Sequence, residues 1–148
     1  MTILPRKALL AIAAVVEVAL HARGRPFPAK ALAARHGLPP RHLEPVLQAL
    51  VHSGILKGVR GPHGGYELAR DRARITINDI VHAASRIADD DDVATASALI
   101  MQVVGPAVAR AERAMAEALA HINIGDLVQQ AESLTVSRQN DATIGPPI

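Results

Sequence analysis

Apolar residues occupy nearly every side of the helix that the first part of the chain predicts. The run Ala8–Leu20 indicates a helix over about 6–22 that ends at Gly24 and is buried rather than displayed. Glu17 interrupts this run, which is shorter than the ~20 apolar residues of a membrane span. We therefore expect a cytoplasmic protein whose first helix belongs to the core, without a secretion signal or a membrane segment.

Two further helical stretches follow a proline-rich break at Pro26-Phe27-Pro28. Residues 29–36 predict a short second helix. After a turn at 38–40, residues 41–53 predict a third helix whose inward face repeats at i, i+3, i+4, i+7 and i+8, with Leu43, Val46, Leu47, Leu50 and Val51. Two helices joined by so short a turn form a helix-turn-helix unit, whose second helix can enter a DNA major groove.

The segment after the third helix predicts a β-hairpin. Residues 55–59 and 66–69 have the length and composition of short strands, and the loop between them is rich in glycine and proline. Thr76 with Asp79 three residues later fits a capping box that opens a fourth helix over 77–87. A helix-turn-helix followed by a hairpin is a winged helix, so the expected fold is mainly α with a small β-hairpin wing.

A seam of small apolar residues predicts a long helix in the second half of the chain. Its positions are Val104, Val108, Ala111, Met115, Ala118 and Ile122, separated by 4, 3, 4, 3 and 4 residues. Such a seam packs lengthwise against another helix, either the first helix of the same chain or a second copy, and we expect the second copy. Gly105-Pro106 is expected to kink or divide this helix. A short last helix is predicted over 124–133.

The charge is divided unevenly along the chain. Residues 1–86 hold 13 Lys or Arg and 5 Asp or Glu, a charge of +8, whereas residues 87–148 hold 3 and 9, a charge of −6. This division suggests that the first part meets a polyanion and the second part does something else. Phe27 and Tyr66 are the only aromatic side chains, which argues against stacking platforms for single-stranded bases.

The sequence contains no cysteine. This excludes disulfides, thiolate zinc sites, Cys nucleophiles and Cys-ligated iron–sulphur clusters within it. The seven histidines form no HxxxH or HxH pair, and we expect them to be structural or surface residues, with no metal site.

Four segments carry a family resemblance: EVALHA (17–22), the block 42–70, ITINDIVHAA (75–84) and HINIGDLV (121–128). Within the second, VRGPHGGYEL is the most specific, because RGPxGGYxL before a capped helix is a family signature. On these residues the chain resembles the Rrf-two family of winged-helix bacterial transcription regulators, those of the IscR, NsrR and CymR type.

The resemblance implies a homodimer on double-stranded DNA. The third helix of each copy would enter a major groove of a palindromic operator, the wing would reach the adjacent minor groove, and the long helix would form the dimer contact. The family's DNA contacts carry over to the start of the third helix, to the wing and to one basic residue of the first helix: Arg41, His42, Glu44, Arg60, Gly61, Pro62, His63, Gly64 and Lys7.

Two features depart from the family's pattern. Pro45 lies inside the third helix, so that helix either begins later than drawn or has an adjusted first turn. Where cluster-bearing relatives place three cysteines, this chain has the acidic segment 84–97, so iron–sulphur sensing does not carry over and no cofactor is expected. We interpret its acidic run Asp89–Asp92 as solvated charge at a helix N-terminus, with a carboxylate metal site as the alternative.

The sequence thus predicts a dimeric, sequence-specific DNA-binding regulator, a repressor, that answers to an unknown small-molecule or protein effector or to none. Its expected domains are a winged helix-turn-helix over 1–87, a helical dimerisation and sensory region over 88–134, and a disordered tail over 135–148. One alternative is an adaptor that binds a partner protein through the acidic C-terminal helices. Another is a phosphate-binding enzyme that uses the glycine loop, but GxxxxGK[ST] and a nucleophile–base set are missing, so no catalysis is expected.

Overall fold

The fold is mainly α-helical with one antiparallel hairpin, as the sequence predicts. The computed structural model describes residues 4–21, 24–87, 98–99, 102–103 and 105–143, with side chains as far as residue 134. The elements, in chain order, are α1 (Arg6–His21), α2 (Ala29–Arg35), α3 (Pro40–His52), β1 (Leu56–Val59), β2 (Gly65–Leu68), α4 (Ile77–Ala84), α5 (Gly105–Ala120) and α6 (Ile124–Thr143). A 3-10 turn, Arg72–Arg74, precedes α4.

Helix α1 runs through the middle of the core. Its buried side chains are Ala8, Ala11, Ala14, Val15 and Val18, and three of these five are alanines. Small side chains let neighbouring helices approach closely, and α1 packs against α3, α4, α6 and β2. In the described part of the chain no helix has the length and apolar character needed to cross a membrane.

The one acid within this apolar helix lies beside a guanidinium group and an imidazole. Glu17 Oε2 lies 2.7 Å from Arg35 Nε on α2 and 3.2 Å from His21 Nε2, and the Glu17 side chain is 16% exposed. The contact with Arg35 is ionic rather than an aligned hydrogen bond. A half-buried carboxylate is costly without a partner, so Glu17 fixes α2 against α1 instead of interrupting the helix.

Helix α3 begins at Pro40 and contains Pro45 in its interior. The option that Pro45 delays the start of this helix is therefore wrong. Because proline has no N–H, the carbonyl of Arg41 loses its usual partner within the helix. The predicted inward face is confirmed: Leu43, Val46, Leu47 and Leu50 are buried, and Val51 packs partly buried against them. The helix stops at Gly54, whose φ of 74° lets the Ile55 N–H donate to the Leu50 carbonyl.

The hairpin is joined to the start of α2 by a contact that the sequence analysis did not foresee. In the hairpin, Leu56 lies opposite Leu68 and Val59 opposite Gly65. Tyr66 also exchanges two backbone hydrogen bonds of 2.9 Å with Phe27, so the segment between the two prolines adds a third, minimal strand. The sequence of this segment indicates only a break between helices.

The two adjacent glycines of the wing are required by close packing of the backbone. A Cβ at Gly65 would lie 2.4 Å from the Phe27 carbonyl oxygen, and one at Gly64 would lie 2.3 Å from the Val59 carbonyl oxygen. Real Cβ atoms do not approach oxygen so closely. Any side chain at either position would push the wing away from α2 or open its turn.

A second backbone bridge fastens the two parts of the chain together. The Ile77 N–H donates to the Ile122 carbonyl, and the Ile124 N–H donates to the Ile75 carbonyl, each at 2.9 Å. The predicted capping box of Thr76 and Asp79 is present at the start of α4. From α6, Ile124 and Val128 enter the same buried core as α1. The proposed domain boundaries remain predictions.

Two helix ends differ from those predicted. Helix α4 ends at Ala84 rather than Ile87, because the Arg86 and Ile87 N–H groups bond three residues back and Ser85 Oγ donates to the His82 carbonyl at 2.6 Å. Helix α6 continues past residue 133 to Thr143, so helical backbone replaces much of the expected disordered tail. No glycine or proline occurs between Gly125 and Gly145, and the polar residues there tolerate a helix. Asp89–Asp92 and residues 144–148 lie outside the described ranges.

The close approach at Gly65 gives a stability prediction. We expect Gly65→Ala to destabilise the protein by about 1–3 kcal/mol, because the added methyl group forces the Phe27 backbone out of its bonds with Tyr66. Urea unfolding followed by circular dichroism measures this change. Gly58→Ala in the partner strand is the matched control, since its Cβ would meet only Tyr66 Cε1 at 3.9 Å, an ordinary contact. Equal midpoints for the two variants would contradict the packing argument.

Candidate nucleic-acid interface

Core packing determines which side of α3 faces outward. Leu43, Val46, Leu47 and Leu50 hold one side of the helix in the core. On the other side, Arg41, His42, Glu44, Pro45 and Gln48 are exposed. Arg41, Glu44 and Gln48 are spaced i, i+3 and i+7, so they follow one line along the outer surface of the helix.

The first turn of α3 has no side-chain cap. Pro39 occupies the N-cap position, and its side chain has no atom that can accept a hydrogen bond. Its backbone carbonyl accepts the His42 N–H at 3.0 Å. Helix N-termini carry a partial positive charge and free N–H groups, which favour phosphate oxygens. The uncapped turn therefore suits contact with a nucleic-acid backbone.

A groove of about 590 Å³ lies between the wing, the start of α2 and the outer side of α3. The polar and glycine residues on its wall include Lys30, Gln48, Arg60, Gly61 and Gly64. The fold thus brings three of the predicted wing residues beside α3. Lys30 and Gln48 were missed by sequence analysis, although Gln48 follows Glu44 by one helical turn.

The tip of the wing is a tight turn, and Arg25 lies close to it. The Gly64 N–H donates to the Gly61 carbonyl at 3.0 Å, and Gly61 has a φ of 118° that favours glycine. Pro62 and His63 at the tip are exposed and border another groove, of about 500 Å³, together with Arg25. Arg25, Lys30 and Arg60 therefore place positive charge on both sides of the wing.

Some predicted contact residues lie apart from the two grooves. Arg41, His42 and Glu44 are exposed on α3 but line neither groove. Lys7 is half-buried on α1 and also lines neither of them. Their contacts with DNA remain predictions.

The predicted seam of α5 is uncovered in the single chain. Val108 is 48% and Ile122 39% exposed, Ala111 and Ala118 are exposed, and Met115 is half-buried. None of the side chains of α5, which is described throughout, is buried, although the helix packs against α4. Val104, the first seam position, lies outside the described residues. The described helix starts at Gly105, directly after this position, so the predicted kink or division at Gly105-Pro106 stays a prediction.

The comparison with known proteins decides the family. The sequence profile of the family described as "Rrf2: Iron-dependent Transcriptional regulator" matches residues 4–130. The chain belongs to the Rrf2 family. This confirms the resemblance found in the sequence, and the winged helix-turn-helix architecture with it.

Relatives of known name agree with this assignment. The HTH-type transcriptional regulator IscR of Xenorhabdus nematophila is 35% identical over 86 residues, which is 58% of this chain and 52% of that protein. IscR of Photorhabdus laumondii is 33% identical over 86 residues, again 58% of this chain and 52% of that protein. The chain spans about half the length of the curated relatives it matches.

Solved structures of Rrf2 regulators have the same fold. IscR of T. potens superposes with a TM-score of 0.70 at 26% identity, covering 90% of both chains. CymR, the global cysteine regulator of B. subtilis, superposes with a TM-score of 0.65 at 22% identity, covering 88% of this chain and 98% of that one. The second likeness concerns the fold alone.

The family's description names iron, and the residues of this chain do not fit a Cys-ligated iron–sulphur cluster. Such clusters are held by Cys thiolates, and this Rrf2 sequence has no cysteine. Within the described ranges, no three His, Asp or Glu side chains come together in a way that could hold a metal ion.

The position of Arg60 gives a binding prediction. We expect Arg60→Ala to weaken binding to a selected operator by about 1–3 kcal/mol, because it removes a cation from the wing beside α3. Fluorescence anisotropy at fixed ionic strength measures the loss. Arg72→Ala removes the same charge from the exposed 3-10 turn, which packs against α6 and lines neither groove. Equal losses in the two variants would show that only overall charge matters.

Proposed function

We propose that this Rrf2 protein is a homodimeric, sequence-specific DNA-binding regulator that represses transcription by occupying a palindromic operator. The observation that carries the proposal is the groove in which Arg60, Lys30 and Gln48 meet beside the exposed side of α3. A groove edged by cations and glycine backbone suits a phosphate chain, and an outward-facing helix beside it suits a major groove.

In the proposed complex, base contacts come from the start of α3. Arg41 can bridge O6 and N7 of guanine, and the Glu44 carboxylate can accept a hydrogen bond from cytosine N4. Gln48, one turn further along, extends the same line toward the wing. Arg60 enters the adjacent minor groove, where a narrow width concentrates negative potential. Glycines at the wing turn let the backbone N–H groups approach phosphate oxygens.

A symmetric dimer follows from the uncovered seam on α5. An apolar line along a helix is unfavourable in water, and a second copy of the same helix would cover it. A twofold dimer presents two copies of α3, so its operator is expected to contain two inverted half-sites. Because the sequence has no cysteine to hold an iron–sulphur cluster, the proposed dimer acts without one and answers to another signal or to none.

The path of the glycine loop does not support the alternative hypothesis of a phosphate-binding enzyme. Nucleotide-binding loops open onto a helix N-terminus, whereas this loop leads directly into β2. The relatives are named transcriptional regulators rather than enzymes. An adaptor that binds a partner protein through the C-terminal helices would retain its function without DNA binding. A test of DNA binding therefore distinguishes an adaptor from a regulator.

Selection from genomic DNA with the purified protein tests the proposed function. We expect enrichment of a palindromic sequence upstream of a small set of genes. Affinity for it should fall with salt, with a log–log slope of about −0.9 times the number of phosphates neutralised. Anisotropy titrations over a range of salt concentrations give this slope. Enrichment of no sequence, or binding that is insensitive to salt, would contradict the proposal and favour the adaptor.

The oligomeric state is tested at the seam. We expect Val108→Asp to weaken the dimer about tenfold or more, because it would bury a carboxylate in an apolar contact. Sedimentation velocity over a concentration series measures this change. Ala120→Asp is the control, since Ala120 is exposed and lies on the opposite side of α5 at 100° per residue. A monomeric wild type, or a Val108→Asp variant that dimerises normally, would contradict the proposal that α5 forms the dimer contact.

A further inference from the structure

A further cavity, of about 640 Å³, lies at the far end of α3 from Arg41. Its walls come from three parts of the fold: the end of α3, the chain just after β2, and one face of α4 with the turn that follows it. The residues that line it are His52, Ser53, Ile55, Arg70, Asn78, Asp79, His82 and Arg86. None of the predicted DNA contacts belongs to this set.

Core packing aims the polar residues of α4 into this cavity. Ile77, Ile80, Ala83 and Ala84 are buried and hold one side of the helix against the core. Asn78 and His82, spaced i and i+4, therefore share the other side, and Arg86 in the turn after the helix lines the same cavity. Buried Ile55 forms an apolar floor. The cavity thus has one buried apolar residue at its base and walls that are otherwise polar or charged, a lining that suits a polar ligand rather than an apolar one.

Positive groups exceed negative ones around the cavity. Two guanidinium groups and two imidazoles face a single carboxylate, that of Asp79. This carboxylate already accepts the Thr76 N–H at 3.0 Å and lies 3.8 Å from Arg70 Nη2. Within the described ranges, the Arg86 side chain has no hydrogen bond or ion pair; its backbone N–H bonds the Ala83 carbonyl. Asp79 is engaged in the helix cap and lies near Arg70, so among the residues that line the cavity Arg86 has no carboxylate partner.

We propose that this cavity binds a small organic anion through a carboxylate or phosphate group. The planar guanidinium of Arg86 can hold such a group by two parallel hydrogen bonds, and Asn78 and Ser53 can donate from the facing walls. A volume of this size accommodates several non-hydrogen atoms beyond the anionic group.

The position of the site couples it to the proposed interface. Residues 41 and 52 stand at opposite ends of α3, about 17 Å apart at the rise of an α-helix. A ligand that links the end of α3 to α4 and to the exit of β2 contacts the elements that orient α3 and the wing. If its affinity differs between DNA-bound and free protein, it changes operator affinity by the same factor. This regulatory part rests on the proposed function, whereas the binding itself does not.

Calorimetric titration of the DNA-free protein tests the site, with inorganic phosphate and malonate as probes at constant ionic strength. We expect saturable binding at millimolar concentration or below. Arg86→Gln should weaken it about tenfold, since a hydrogen bond to a charged group is lost. Arg74→Gln, which removes an exposed charge from the 3-10 turn outside the cavity, should leave it unchanged. The stronger of the two probes identifies the preferred anionic group.

The location is checked by amide chemical shifts during the same titrations. We expect the changes to cluster at residues 52–55, 70 and 78–86. No saturable binding of either probe, equal weakening by the two substitutions, or shifts clustered elsewhere would overturn the proposal. Because these measurements use no DNA, a failure of operator binding would leave their outcome unaffected. Unchanged thermal midpoints of both variants show that they are folded.

Discussion

The backbone pairing of Phe27 with Tyr66 determines where the wing stands relative to α2 and α3. A two-stranded hairpin alone is marginal in water, and this one gains a partner through two hydrogen bonds of 2.9 Å. The pairing requires glycine at position 65, because a Cβ there would overlap the Phe27 carbonyl. Phe27, Gly65 and Tyr66 together thus determine the width of the groove between the wing and α3.

The same constraint explains the unusual composition of the wing. At positions 64 and 65 glycine is required because the surrounding backbone leaves no room for a Cβ. At position 61 glycine is favoured because φ is positive in the turn. The remaining loop residues, Arg60, Pro62 and His63, are exposed and have no packing role that would prescribe them. The loop therefore combines a fixed backbone with side chains that are free to contact a ligand, as recognition loops on rigid scaffolds do.

Local signals predicted most of the helices, and long-range contacts account for what they missed. The capping box of Thr76 and Asp79, the stop at Gly54 and the inward face of α3 each depend on neighbours within a few residues. The bridge between Phe27 and Tyr66 joins positions 39 residues apart, and no periodicity marks it. Likewise the family signature located the wing loop, but only the fold placed Lys30 and Gln48 beside it.

Helix α3 has two ends with different surroundings, and this difference bears on regulation. Its first turn is uncapped and faces outward, whereas its last turn is closed by the Gly54 motif and borders the cationic cavity near α4. The buried side chains between the two ends belong to the hydrophobic core that also holds α1 and α4. A ligand bound at the α4 end would therefore contact the same helix that carries Arg41, Glu44 and Gln48. In a chain without cysteine, the proposed anion site is thus joined through α3 to the proposed DNA contacts, with no need for a cluster.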